Sequence, residues 1–266
     1  MENRAGRRAV VCVLAALILT LLTLPAVAAE VAEENFALSF PIYANGGSGF
    51  TTPWTQGGFN ATASRYTARA RSLCYPQLES AGGSVSGAAV PQINGAIRTL
   101  AQPLGADNTT MYVSFLLQPR GTLNDGIFNG FFGLTLNGSL ANDLFIGKPG
   151  GGAMEQYVIE HRGGAGQLPS GVDTRIGKTT LLVLKAQFLA GNDVFTLYTN
   201  PSVGRPEPAS TVVKTDLDLG SVSRIGIYST GAFTIDEIRI ATTFAEALPR
   251  RDGAQDEDFP GCLEDN

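Results

Sequence analysis

Apolar residues fall at alternate positions along much of this chain, in short runs broken by clusters of Gly, Ser, Thr, Asn and Pro. A period of two with frequent breaks is the pattern of antiparallel strands that bury one face, and helical spacing is scarce. The clearest run is 180–188, where Leu182, Leu184, Ala186 and Phe188 share one face while Lys185 and Gln187 take the other. Ala190-Gly191-Asn192-Asp193 then interrupts it, and Gly and Asn tolerate the positive φ that a tight reversal needs. Alternation resumes over 194–200, with Phe195 and Leu197 on one side and Thr196 and Tyr198 on the other. The two runs predict a hairpin. A loop should follow at Pro201, Pro206 and Pro208, since proline cannot donate to a strand ladder. Further strands are expected at 36–40, 111–117, 131–136, 144–147, 156–160, 224–228 and 233–240, so the chain reads as an all-β antiparallel sandwich.

The N-terminal stretch follows a different rule. Arg4, Arg7 and Arg8 precede an apolar run over 9–24, and Pro25 leads into Ala26-Val27-Ala28-Ala29, a small-x-small cleavage pattern. That run is shorter than the roughly 20 residues a bilayer requires. The expectation is a signal peptide over 1–29, a β-sandwich over 30–248 and an acidic tail over 249–266. The mature protein would be secreted, periplasmic or at the cell surface, with no membrane insertion after signal removal.

Removal of 1–29 takes away Arg4, Arg7, Arg8 and Glu2, which moves the formal charge from −5 to −7. A moderately acidic chain without a basic cluster argues against nucleic acid and anionic membrane surfaces as partners. Two cysteines survive cleavage, Cys74 and Cys262, and an oxidising compartment favours a disulfide between them.

The segment Phe233-Thr234-Ile235-Asp236-Glu237-Ile238-Arg239-Ile240 resembles the final strand of laminin-G-like and pentraxin-like domains. Those domains close with an aromatic residue, Ile-Asp-Glu and an alternating Val/Ile-Arg-Ile/Val stretch. Residues 242–248 are similar to the short segment that follows that strand. Upstream, 182–188, Gly191-Asn192-Asp193 and 196–201 resemble a central hairpin of the same concanavalin A-like lectin/glucanase superfamily in exported bacterial proteins. The resemblance is clearest over 131–248. It implies a two-sheet antiparallel jelly-roll sandwich, a fold used for recognising sugar or protein and in some members holding calcium. Fold alone does not fix activity.

Candidate chemistry is sparse. Asp236 and Glu237 are adjacent on an expected strand, so alternation sends them to opposite faces, one to fix a loop and the other to solvent. Glu155 and Glu160 sit five residues apart, roughly 16 Å along a strand, whereas a retaining glycosidase needs carboxyls about 5–5.5 Å apart. The Glu-x-Asp-x-x-Glu pattern of laminarinase-type members of the superfamily is absent, so no catalytic residue is assigned and the protein is expected not to be an enzyme. Gly177-Lys178-Thr179 is not a phosphate loop, because Val172 stands where the first glycine belongs. Sugar surfaces present aromatic faces with polar neighbours, which makes Trp54, Tyr157 and Tyr198 the candidates, with the sole histidine, His161, beside them. No cofactor is required. Calcium is the one metal that Asp125, Asp143 and Asp193, each in an Asn-Asp turn, could hold. The expectation is a non-catalytic recognition domain for a glycan or cell-surface polysaccharide. An adhesive domain that binds protein is the alternative, and a glycoside hydrolase or lyase a weaker one.

Overall fold

The computed structural model describes residues 29–37, 45–57, 65–138, 143–151, 155–161, 166–209 and 212–253. All but Ala29 of the expected signal peptide, and the tail from 254 onward with Cys262, lie outside these residues; Cys74 lies within them.

The described residues form fifteen strands. The first seven are β1 (Glu30–Glu34), β2 (Thr55–Gln56), β3 (Tyr66–Arg69), β4 (Ser84–Gly87), β5 (Asn94–Leu104), β6 (Thr110–Pro119) and β7 (Phe132–Leu136). There follow β8 (Leu144–Lys148), β9 (Gln156–His161), β10 (Leu168–Asp173), β11 (Thr180–Gln187), β12 (Val194–Thr199), β13 (Val212–Lys214), β14 (Val222–Ser229) and β15 (Phe233–Ala241). One short helix, α1 (Phe244–Ala247), closes the order. They assemble into two antiparallel sheets, a jelly-roll sandwich. The larger runs β13-β12-β11-β6-β15-β4-β3 with β1 added on β15, and the smaller runs β10-β9-β8-β7-β14-β5-β2.

The core lies between the sheets and follows the period of two. Leu182, Leu184, Ala186 and Phe188 from the β11 run meet Phe195 and Leu197 of β12 there, facing Leu134, Ile146, Tyr157, Ile159 and Ile227 of the smaller sheet. The expected hairpin forms in register, Leu184 opposite Leu197. Residues 38–40 of the strand expected at 36–40 lie outside the described residues; before them β1 ends at Glu34, and Phe36 has φ 50°, which stops an extended run there.

Part of the other face of the larger sheet is also buried. Leu181 and Val183 of β11, Leu116 of β6, Tyr198 of β12 and Ala241 of β15 form a second apolar layer with Leu78, Val203, Phe244, Ala247 and Leu248. Thr243 caps α1 by accepting the Glu246 N–H at 3.3 Å, which seats Phe244 and Ala247 on this layer.

Strand β15 departs from simple alternation. Asp236 pairs with Leu116 and Arg239 with Ser114, so β15 carries one residue more than β6 between those pairs. Glu237 takes φ 50° at this bulge. Ile235 and Ile238 both stay in the core although three apart, and the opposite-face expectation for Asp236 and Glu237 fails. Both carboxyls are buried beside Ser72, whose Oγ is within hydrogen-bonding distance of each. Asp236 also accepts the Leu73 N–H at 2.7 Å and Glu237 the Ala81 N–H at 2.6 Å. Burial pushes both carboxyls up; the Glu237 charge raises Asp236 further, and the Arg239 hydrogen bond partly offsets the rise at Glu237. The pair holds the 72–81 loop and faces no solvent.

A second buried charge joins the sheets. Glu34 of β1 accepts the Arg98 Nη1–H of β5 and the Trp54 indole N–H at 2.9 Å. Arg98 also donates to the Thr52 and Gly46 carbonyls at 2.8 and 2.7 Å and lies 4.1 Å from the Phe50 ring centroid. Removing one partner of a buried pair strands the other charge, at about 3–5 kcal/mol. Arg98→Ala should therefore lower unfolding free energy by about that amount in urea titrations, and Glu34→Ala with Arg98→Ala together by less than the sum of the singles. Additive losses would show that the two residues act independently.

Candidate functional site

Along the outward row of β11, apolar residues give way to polar ones: Leu181 and Val183 are followed by Lys185 and Gln187. The cover ends there. Lys185 lies opposite Tyr112 and Gln187 opposite Thr110 on β6, and these four side chains floor a groove of about 430 Å³. One wall is the 205–207 loop and the other is Thr242–Ala245 at the start of α1. The loop is held down by its own carboxylate. Glu207 accepts from Lys185 Nζ at 2.9 Å and from Tyr112 OH at 2.7 Å, and also from Tyr198 OH. Burial pushes Glu207 up, but hydrogen bonds from Tyr198, Lys185 and Tyr112 outweigh it and hold the carboxyl below its ordinary range. Phe244 packs edge-on against Tyr112 and Tyr198, with centroids 6.0 and 5.7 Å away.

The aromatic residues expected to face a ligand are mostly in the core. Trp54 is 0% exposed, stacked on Phe36 and bonded to Glu34, and Tyr157 is buried on the inward face of β9. Neither can present a ring to sugar. Tyr198 reaches the groove, but through its hydroxyl on Glu207 rather than its ring face. His161 lies elsewhere, at the end of β9, with Nε2 3.5 Å from an Asp216 oxygen.

The expected calcium ligands do not converge. Asp193 accepts the Leu189 and Leu219 N–H groups at 3.0 and 2.8 Å and so closes the β11–β12 turn. Asp125 caps the Gly126 N–H at 2.9 Å on the β6–β7 loop, and Asp143 is buried just before β8. Among the described residues no three His, Cys, Asp or Glu side chains are placed to hold a metal ion. Asn-Asp pairs mark turns for conformational reasons, which the sequence pattern cannot separate from ligation.

His161 belongs to a charged cluster where β9 and β10 approach β13. Lys214, buried, donates to the Gly166 carbonyl at 2.6 Å and pairs with Asp216 at 2.7 Å, which draws that carboxyl down. Glu160 accepts from Gln167 Nε2, and burial pushes its carboxyl up to about 7. On this strand Glu160 alternates with the inward Tyr157 and Ile159 and turns away from the core.

The most exposed aromatic ring among the described residues is one the period-of-two pattern does not flag. Phe128, on the β6–β7 loop, is 61% exposed and sits at φ 53°, ψ 39°, a left-handed conformation that bulky residues avoid. Its loop is fastened from several sides. The Phe128 carbonyl accepts the Gly151 N–H at 3.0 Å, and the buried Lys148 donates to the Asn129 carbonyl at 2.5 Å. Gly150 passes so close that a Cβ there would lie 3.3 Å from the Phe128 Cβ. Ile176, 56% exposed, belongs to the β10–β11 loop at the same end of the sandwich, where Gly177 donates to Pro119 at 2.9 Å.

Comparison with solved structures agrees with this architecture. The T. cruzi calreticulin globular domain superposes with a TM-score of 0.52 at 13% identity, covering 83% of this chain and 90% of that one. An endo-1,3-beta-glucanase from Streptomyces sioyaensis gives 0.51 at 8% identity, covering 82% and 97%. No family model matches the chain, and no curated protein matches it. The chain has the fold of the concanavalin A-like lectin and glucanase superfamily. Likeness at this level of identity establishes the fold alone. No helix of the described residues is long and apolar enough to cross a membrane.

Two measurements check the electrostatic and backbone assignments. The folded chain holds the Glu160 proton more tightly than the unfolded chain. Its contribution to stability is therefore complete below about 4.5 and lost as pH climbs through about 7. Thermal melts should show falling Tm between those values, and Glu160→Gln should flatten that slope; an unchanged slope would place the titrating group elsewhere. Replacing Phe128 by Gly should raise unfolding free energy by about 1 kcal/mol, because glycine tolerates the left-handed conformation. A loss of stability in urea would mean that the ring contributes packing greater than the backbone strain.

Proposed function

We propose that the exported chain is a non-catalytic recognition domain that binds carbohydrate in the groove between the 205–207 loop and α1. The observation that carries this is the groove's composition. Hydroxyls of Thr110, Thr242 and Thr243, the Gln187 amide and the Lys185 ammonium surround Tyr112 and Phe244 in one concavity. Many short-range donors and acceptors in one concavity with a firm floor suit the hydroxyl edges of a polyhydroxylated ring. The base is already ordered by the Glu207 network, so little side-chain freedom is lost on binding. The calreticulin and endo-1,3-beta-glucanase domains share the fold, and the second of them acts on a 1,3-beta-glucan.

The absence of catalysis in this proposal rests on the carboxyl groups. Glu207 is the one acidic side chain among the described residues lining the groove, and it is occupied by three donors. A glycosidase of the two-carboxylate type needs a second in reach. Asp236 and Glu237 do converge, but in the interior.

A second reading, docking to a protein, is favoured by Phe128 and Ile176, exposed at one end of the sandwich. Glycan-array binding by the chain lacking residues 1–29 separates the two. Reproducible binding to one glycan class is expected, with Gln187→Ala and Thr110→Val each weakening it about tenfold, the value of one hydrogen bond. Phe128→Ala should leave it intact. A blank array from protein shown to be folded would sink the carbohydrate reading. Binding lost on Phe128→Ala but kept in the groove variants would move the site to the loop end.

A further inference from the structure

Resting on the groove as the binding site, we infer that its ligand is an anionic saccharide whose carboxylate or sulfate is held by Arg205. Three ionised side chains line the groove: Lys185, Arg205 and Glu207. Lys185 and Glu207 neutralise each other at 2.9 Å, and the two tyrosine hydroxyls also donate to Glu207. Arg205 is left over. It is exposed on the loop, lines the groove, and makes no hydrogen bond or ion pair among the described residues. Glu246, which follows the opposite wall on α1, accepts the Thr243 hydroxyl at 2.8 Å.

The groove thus carries one uncompensated positive charge on a chain that is acidic overall. A guanidinium presents a planar fork of N–H donors that fits a carboxylate or sulfate in two parallel hydrogen bonds. Lys185 cannot play that part, since releasing it would leave Glu207 without its cation and free the 205–207 loop. Arg205 can, because nothing in the fold depends on it. The donors on the groove floor, Gln187 and Thr110, would then contact hydroxyls of the same sugar or of its neighbour. Polar specificity would come from the floor and charge specificity from the loop.

The test is titration of the exported protein, by calorimetry at low and at physiological salt, with three matched probes. These are oligogalacturonides, their neutral methyl esters, and a sulfated galactan oligosaccharide. The inference expects a charged probe to bind at least about tenfold tighter than the methyl ester, with the preference shrinking as salt rises. Which charged probe wins tells carboxylate from sulfate. Arg205→Ala should erase the preference while leaving methyl-ester binding within about twofold, and Arg205→Lys should restore only part of it. Circular dichroism melts matching wild type would confirm that both variants fold. Equal binding of charged and neutral probes overturns the inference and leaves the carbohydrate reading standing. Binding of none of the three, together with a blank glycan array, overturns both. A charge preference that survives Arg205→Ala also overturns the inference, since the anion is then held elsewhere.

Discussion

Burial of the larger sheet on both faces is the constraint from which the rest of the molecule follows. An ordinary sandwich strand has one dry side, so its outward residues are free to be polar. Here the outward row of β11 begins with Leu181 and Val183, which demand a cover, and the 73–78 loop, Val203 and α1 supply it. A cover made of loops and one turn of helix cannot span the whole sheet. It stops at the row of Lys185 and Tyr112, where the strand sequence itself turns polar. The groove is the step between the covered and uncovered parts, and its walls are the edges of the cover. Site and second core are one construction.

The covering segments have to be fastened, and hydrogen-bonded carboxyl groups fasten them. Glu207 draws the 205–207 loop onto Tyr112, Tyr198 and Lys185, while Asp236 and Glu237 hold the 72–81 loop through Ser72 and two backbone N–H groups. For Asp236 and Glu237 these hydrogen bonds offset a desolvation that would otherwise be prohibitive, and for the partly exposed Glu207 they fix the loop in place. The Glu34–Arg98–Trp54 network performs the same task between the sheets at the β1–β5 edge. Polar groups in this protein are therefore concentrated where irregular chain meets regular sheet, because that is where backbone donors lack ladder partners.

In the proposed reading, binding chemistry is what remains after these internal demands are met. The ionisable groups satisfied by protein partners are structural, and a charge with none, Arg205, is available to a ligand. Phe128 stands apart from both classes. A left-handed, solvent-facing phenylalanine on a loop fixed by Lys148 is neither needed by the core nor relaxed, and strain of this kind persists only where surrounding structure enforces it.

The alternation of apolar and polar residues was enough to place β6 to β9, β11, β12, β14 and β15 within a residue or two, and to assign the inward faces of the β11–β12 hairpin. A period of two is a local property, and burial on one face imposes it directly. Strands β1 to β5, β10 and β13 escaped that pattern. Several are too short to show a period, and β5 carries Arg98 inward, a polar residue in an apolar slot that only the distant Glu34 makes tolerable. The bulge at Glu237 was written in the three-residue step from Ile235 to Ile238, though it reads as a bulge only when β6 is laid beside it. Trp54 and Tyr157 show the reverse case: an aromatic ring looks the same in sequence whether it faces ligand or core, and the choice is made by which residues lie across the sandwich. The groove, its Glu207 network and the unpartnered Arg205 join β6, β11, the 205–207 loop and α1. Sequence can supply their donors and acceptors, but only the packing of two sheets and their cover decides which of them are left for a ligand.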